Sequence, residues 1–142
     1  MANELRYYTE KVFTMKIINT KLHGLLDYFY AILILAAPFI FGYHDNETAA
    51  YICYFFGTIL LISSVCTNYE FGLVKVLPMR FHLAIDAIGG ILVMASPWMF
   101  GFSDVVFLPH VILGAIDLIV VLLSQSAPSY KKGGNYKNVQ HA

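Results

Sequence analysis

Residues 81–104 read FHLAIDAIGGILVMASPWMFGFSD, and residues 22–45 read LHGLLDYFYAILILAAPFIFGYHD. The second stretch quoted is the first one met again, 59 positions earlier: His23 answers His82, Asp27 answers Asp86, Pro38 answers Pro97, Gly42 answers Gly101 and Asp45 answers Asp104. An internal repeat of this length decides the architecture before any local propensity is weighed. One helical hairpin occurs twice.

The chain around these stretches is strongly apolar. Its 142 residues are 58% hydrophobic and 13% charged, against about 25% charged in soluble domains. The apolar residues form four blocks, near residues 21–41, 46–66, 80–100 and 108–126. Each is close to the roughly 20 residues that a helix needs to cross about 30 Å of hydrocarbon. The blocks are apolar all round rather than on one stripe, which excludes a surface helix of a soluble protein. The expected fold is all-α: an integral membrane four-helix bundle made of two parallel two-helix repeats. The expected divisions are a charged N-terminal segment (1–20), repeat 1 (21–66), a cytoplasmic connection (67–79), repeat 2 (80–126) and a polar, disordered tail (127–142). The segment before the first span carries scattered lysines and suits a membrane surface.

The turns have their own signals. Gly42 and Gly101 stand where helices end on a left-handed residue. Asp45 and Asp104 read as N-caps of the helices that follow, and Pro109 suits the first turn of the fourth. Pro38 and Pro97 are expected to bend or end the first and third spans. With Trp98 they form an anchor at the membrane interface. Cys53 and Cys66, 13 residues apart on one helix, are too far apart to bridge, and read as small apolar core residues.

Charge sets the orientation. The nine Lys and Arg residues precede the first span (Arg6, Lys11, Lys16, Lys21), lie in the middle connection (Lys75, Arg80) or lie in the tail (Lys131, Lys132, Lys137). The other two loops carry none. The positive-inside rule then places both termini in the cytoplasm of a cell whose inner membrane holds the chain. The two hairpins are therefore parallel, related by an approximate two-fold axis along the membrane normal.

Three carboxylates fall inside the apolar blocks: Asp27, Asp86 and Asp117. An acid at membrane depth costs about 2.5–3.5 kcal/mol on insertion scales and turns towards the bundle interior or a cavity. Counted at 1.5 Å per residue, all three lie roughly 9–13 Å from the cytoplasmic ends of their spans. His23 and His82 each precede an Asp by four residues, on the same helix face. If the two-fold holds, His23, Asp27, His82 and Asp86 meet near the cytoplasmic mouth, with Asp117 at the same level. Three uses of this cluster stay open. One is a packing device in a scaffold or partner-binding subunit. The second is a proton-linked channel or carrier that uses the three acids. The third is a metal site of two His and two Asp, a set that suits zinc, iron or manganese. The partner-binding or scaffold use leads, with no cofactor assigned.

The remaining histidines lie elsewhere: His110 near the outer end of the fourth span, His44 in an outer loop and His141 in the tail. The chain has no phosphate-cradling glycine loop, no nucleophile elbow and no cysteine cluster. An enzyme is accordingly not the leading reading. Zero net charge and the lack of a basic aromatic surface exclude nucleic acid. The expected partners are the lipid bilayer and a second copy or another membrane protein.

At Ser96-Pro97-Trp98, followed by Phe100-Gly101, the chain resembles the SPW-repeat family of small prokaryotic integral membrane proteins. The resemblance covers residues 21–126. The first copy departs from the motif as Ala37-Pro38-Phe39, which favours anchoring over catalysis for the Trp. The resemblance implies a membrane location and a paired-helix repeat, and it implies no activity.

Overall fold

Four helices make up the fold in the computed structural model, which describes residues 16–127. They are α1 (Thr20–Ile40), α2 (Glu47–Cys66), α3 (Met79–Met99) and α4 (Leu108–Leu123). The first three are long and apolar enough to cross a membrane, and α4 is a shorter apolar helix of 16 residues. At 1.5 Å per residue α4 measures about 24 Å. Apolar side chains such as Phe29, Ile32, Phe55, Ile62, Ile88 and Ile91 point outward and stay exposed, as lipid rather than water requires. The chain is a multi-pass all-α membrane protein. The residues expected at a membrane surface before Lys16, and nearly all of the expected tail, lie outside the described residues.

Local chemistry sets the helix ends. Asn19 caps α1 by accepting from the Leu22 amide at 2.8 Å, and Asn46 caps α2 by accepting from the Ala49 amide at 3.0 Å. The caps expected at Asp45 and Asp104 are therefore corrected. Asn46 stands one residue nearer to α2 and has the reach. Phe107 occupies the cap of α4 without a side-chain bond, and Pro109 in the first turn leaves one fewer amide to satisfy.

At the other ends the expected glycines hold the left-handed conformation, Gly42 at φ 69° and Gly101 at φ 71°. The Tyr43 amide donates to the Pro38 carbonyl and the Gly42 amide to the Phe39 carbonyl, at 2.9 and 3.3 Å. This six-to-one and five-to-two pairing is the Schellman stop. Phe102 repeats the longer bond to Pro97 at 2.9 Å. The prolines thus do not break their helices, which run two residues further. Their carbonyls close the stop instead. Both prolines are buried, while Trp98 points outward, beside Phe107 at 6.0 Å between ring centres.

The hairpin partners α1 with α2, and α3 with α4, pack closely, α2 also packs against α3, and α1 and α4 touch sparsely. Small residues allow the closest approaches. A Cβ added to Gly114 would fall against the Gly90 carbonyl and within 2.8 Å of the Met94 backbone nitrogen.

The end of the bundle where α1 and α3 begin carries a feature that also repeats. Just before α3, Leu77 pairs with Thr67 at the end of α2. Just before α1, Ile18 pairs in the same parallel way with Ser124 at the end of α4. Each pairing uses two backbone bonds of 2.8–3.0 Å. In both, the capping hydroxyl donates back one turn, Thr67 to the Ser63 carbonyl and Ser124 to the Val120 carbonyl, at 2.6 Å each. The fourth span therefore ends at Leu123 and not at 126, because Ser124 leaves the helix to pair with Ile18. Thr67 and Ser124 are equivalent positions. From turn glycine to cap, the second copy is two residues shorter than the first (Gly101 to Ser124 against Gly42 to Thr67).

Candidate metal centre

His23 and Asp27 lie one turn apart on α1, and His82 and Asp86 lie one turn apart on α3. Each pair faces the bundle axis because a four-residue step returns a helix to the same face. All four are buried, at 0–4% exposure. The two-fold relation brings them together. His82 Nε2 lies 2.9 Å from Asp27 Oδ2 and 3.1 Å from Asp86 Oδ2. His23 Nε2 lies 3.3 Å from Asp27 Oδ2 and 3.4 Å from Asp86 Oδ2. The two imidazole rings stand edge to face, 5.3 Å apart. One donor atom from each of the four residues falls within 4.8 Å of the other three.

The orientation of the donors is more telling than their proximity. Only the 2.9 Å contact is a hydrogen bond. His23 Nε2 and both Asp86 oxygens are buried without a hydrogen-bond partner among the described residues. They are close to one another but not aimed at one another. Groups that point at a common centre have this relation.

The other side of the His23 ring fixes its tautomer. His23 Nδ1 lies 2.7 Å from the Ser124 hydroxyl. The hydrogen of that hydroxyl is already donated to Val120. Nδ1 must therefore carry a proton and donate it, which leaves a lone pair on Nε2 of the neutral ring free to face the centre of the group. A second-shell bond of this kind is the usual orienter of a metal-ligating His. His82 Nδ1 has no such partner among the described residues.

A cover closes the site at the end of the bundle where α1 and α3 begin. Tyr69, in the connection after α2, is fully buried and stacks on His82 at 5.9 Å between ring centres. Burial pushes its phenol above the ordinary value, so the cover is neutral. A Cβ on Gly24 would overlap the Tyr69 ring, which explains the glycine beside His23. Thr20 donates to Glu70 at 2.6 Å and ties this connection to the start of α1. Gly24→Ala is expected to cost about 1–3 kcal/mol through overpacking. In a Tyr69→Ala background that cost should vanish, and chemical denaturation of the four variants in neutral detergent reads the coupling.

Asp117 lies outside the four-residue group. With Asp86 and Tyr30 it lines a small cavity of about 20 Å³, and with Asp27 it lines a second cavity between α1 and α4. The sequence gave no sign of a further buried group at the opposite end of the bundle. There His110 Nε2 lies 3.3 Å from the Ala49 carbonyl and 3.6 Å from Cys53 Sγ, and the Tyr43 hydroxyl lies 3.3 Å from the same sulfur. Once the two-residue difference between the copies is allowed for, Cys53 and His110 are equivalent positions. That shift hides their relation from a comparison made at a fixed offset.

The family model of the SPW repeat domain matches residues 21–124. No curated protein and no solved structure matches the chain.

Proposed function

The chain belongs to the SPW repeat family, and from that premise we propose that it is a divalent-metal-binding membrane protein whose ion clasps the two repeats together. The observation that carries this reading is the convergence of four buried donors that share a single hydrogen bond, His82 Nε2 to Asp27 Oδ2. The four His-to-Asp distances run from 2.9 to 3.4 Å. A tetrahedral zinc site with bonds of about 2.0–2.1 Å has edges of about 3.3 Å between donors. Two carboxylates balance one divalent cation, so the filled centre is neutral, as burial demands.

Four protein ligands and a buried cover describe a closed, structural site rather than an open catalytic one. Each repeat supplies one His and one Asp, so neither can hold the ion alone. The reading thus joins two of the uses left open by the sequence, the scaffold and the metal site. The positive-inside pattern supports placing the centre near the cytoplasmic face, with both termini on that side. A scaffold of this kind meets the bilayer and a further copy or another membrane protein through its outer apolar faces.

The test is metal content. Full-length protein, purified in neutral detergent and loaded with zinc, should retain about one ion per chain after desalting, the occupancy of one four-ligand site. His82→Ala should retain next to none while keeping its helical content. Equal retention by both proteins would refute the assignment.

A further inference from the structure

The two seams that the two-fold relates are not alike. Between α2 and α3 Gly89 lets Phe56 approach to 3.6 Å from where a Cβ would stand, and the groove along that seam, lined by Ile59, Ile62, Ser63 and Ile85 among others, carries no carboxylate. Between α1 and α4 the residue at the position of Gly89 is Tyr30, whose hydroxyl donates to the Leu113 carbonyl of α4. The phenol spans the gap and props it. A cavity of about 190 Å³ remains beside it, walled by Leu26, Phe29, Leu33, Ile116 and Val120. Two carboxylates, Asp27 and Asp117, also line it.

Asp117 departs from the duplicated plan. Its equivalent in the first copy is Leu60, a buried core residue, so packing alone asks for an apolar side chain here. Among the described residues Asp117 has neither a hydrogen bond nor an ion pair. A carboxylate beside lipid-facing apolar walls carries the roughly 2.5–3.5 kcal/mol burden of an acid at membrane depth. It needs a cation or a strong donor. Asp27 commits its Oδ2 to the two histidines, which leaves Asp117 as the acidic wall. The cavity volume is that of an aromatic ring with a short chain, since an apolar cavity of about 150 Å³ accepts benzene.

We propose that the α1–α4 seam is a binding site for a membrane-dissolved amine, with the apolar body between Leu33 and Ile116 and the ammonium on Asp117. The ligand class is a slender lipophilic cation, reached from the bilayer and not from the aqueous face. Asp117 is outside the His/Asp ligand set, so its variants probe this cavity separately from that centre.

The experiment uses full-length protein in neutral detergent. Its probe is 3-phenylpropylamine, with 3-phenylpropanol and 3-phenylpropanoate as neutral and anionic controls of the same shape. Equilibrium dialysis should show the amine binding at least tenfold more tightly than either control. Asp117→Asn should remove the tenfold preference while leaving metal content unchanged. Ile116→Phe, which fills the cavity, should weaken amine binding by a similar factor. Asp117→Leu restores the residue type of the first copy, so it should fold and lose the preference too. Amine binding that is no tighter than that of the alcohol, or that survives in both Asp117 variants, would overturn the proposal.

Discussion

Asp27→Ala is expected to destabilise the protein by about 3–5 kcal/mol, the scale set by removing one partner from a buried charged network. Asp27 Oδ2 is the nearest carboxylate oxygen to both imidazoles, at 2.9 Å from His82 and 3.3 Å from His23. Without it, His82 loses its only side-chain hydrogen bond among the described residues, and the remaining Asp86 carboxylate cannot balance a divalent ion. Asp117→Leu removes the same charge from a comparable depth, yet it should be neutral or stabilising. Its carboxyl has no partner to abandon, and Leu60 shows that the fold takes leucine at that position. Reversible denaturation of the two variants beside the wild type compares them directly. Equal losses would mean that the penalty comes from deleting an acid at this depth and not from the four-residue centre.

Gly114→Ala is expected to have the next largest effect, at or above the upper end of the usual overpacking cost of about 1–3 kcal/mol. The added methyl meets backbone, the Gly90 carbonyl and the Met94 nitrogen, and backbone cannot rotate aside. α3 and α4 must separate. Gly89→Ala, on α3, meets only Phe56 at 3.6 Å, an ordinary contact, and should leave stability nearly unchanged. Thermal unfolding in neutral detergent distinguishes the two. If both glycines tolerate alanine equally, the close α3–α4 crossing described here is wrong.

The plan of the fold could be read from the sequence because it was written twice. Hydropathy found the spans, and the repeat at 59 positions aligned α1 with α3, including both turn glycines. The four-residue step from His to Asp then put both pairs on inward faces. The features that escaped notice depend on distant partners or on a change of offset. Ser124 looked like the tail of an apolar block; only its pairing with Ile18 ends the helix and turns its hydroxyl onto His23. Tyr69 sat in a connection with nothing local to mark it, and its role comes from stacking on His82 and from the space that Gly24 leaves. The second copy is two residues shorter beyond its turn, so the 59-residue offset sets Asp117 against Thr58 rather than Leu60. Its true counterpart, Leu60, shows it to be an exception.

The Ser-Pro-Trp motif also gains a physical meaning. Pro97 supplies the carbonyl that the Phe102 amide closes on, Gly101 supplies the left-handed turn, and Trp98 is left facing outward. Ala37-Pro38-Phe39 builds the same stop in the first copy without the indole. The motif therefore marks where a helix ends, and the His–Asp cluster, one pair from each copy, lies at the opposite end of the bundle.

X-ray absorption at the zinc edge of the loaded full-length protein addresses the central claim most directly. Four nitrogen and oxygen neighbours at about 2.0–2.1 Å, with outer-shell scattering from two imidazoles, is the predicted spectrum, reduced to one imidazole or lost in His23→Ala. A shell of six oxygens with no imidazole signal, unchanged by His23→Ala, would place the metal elsewhere and contradict the clasp.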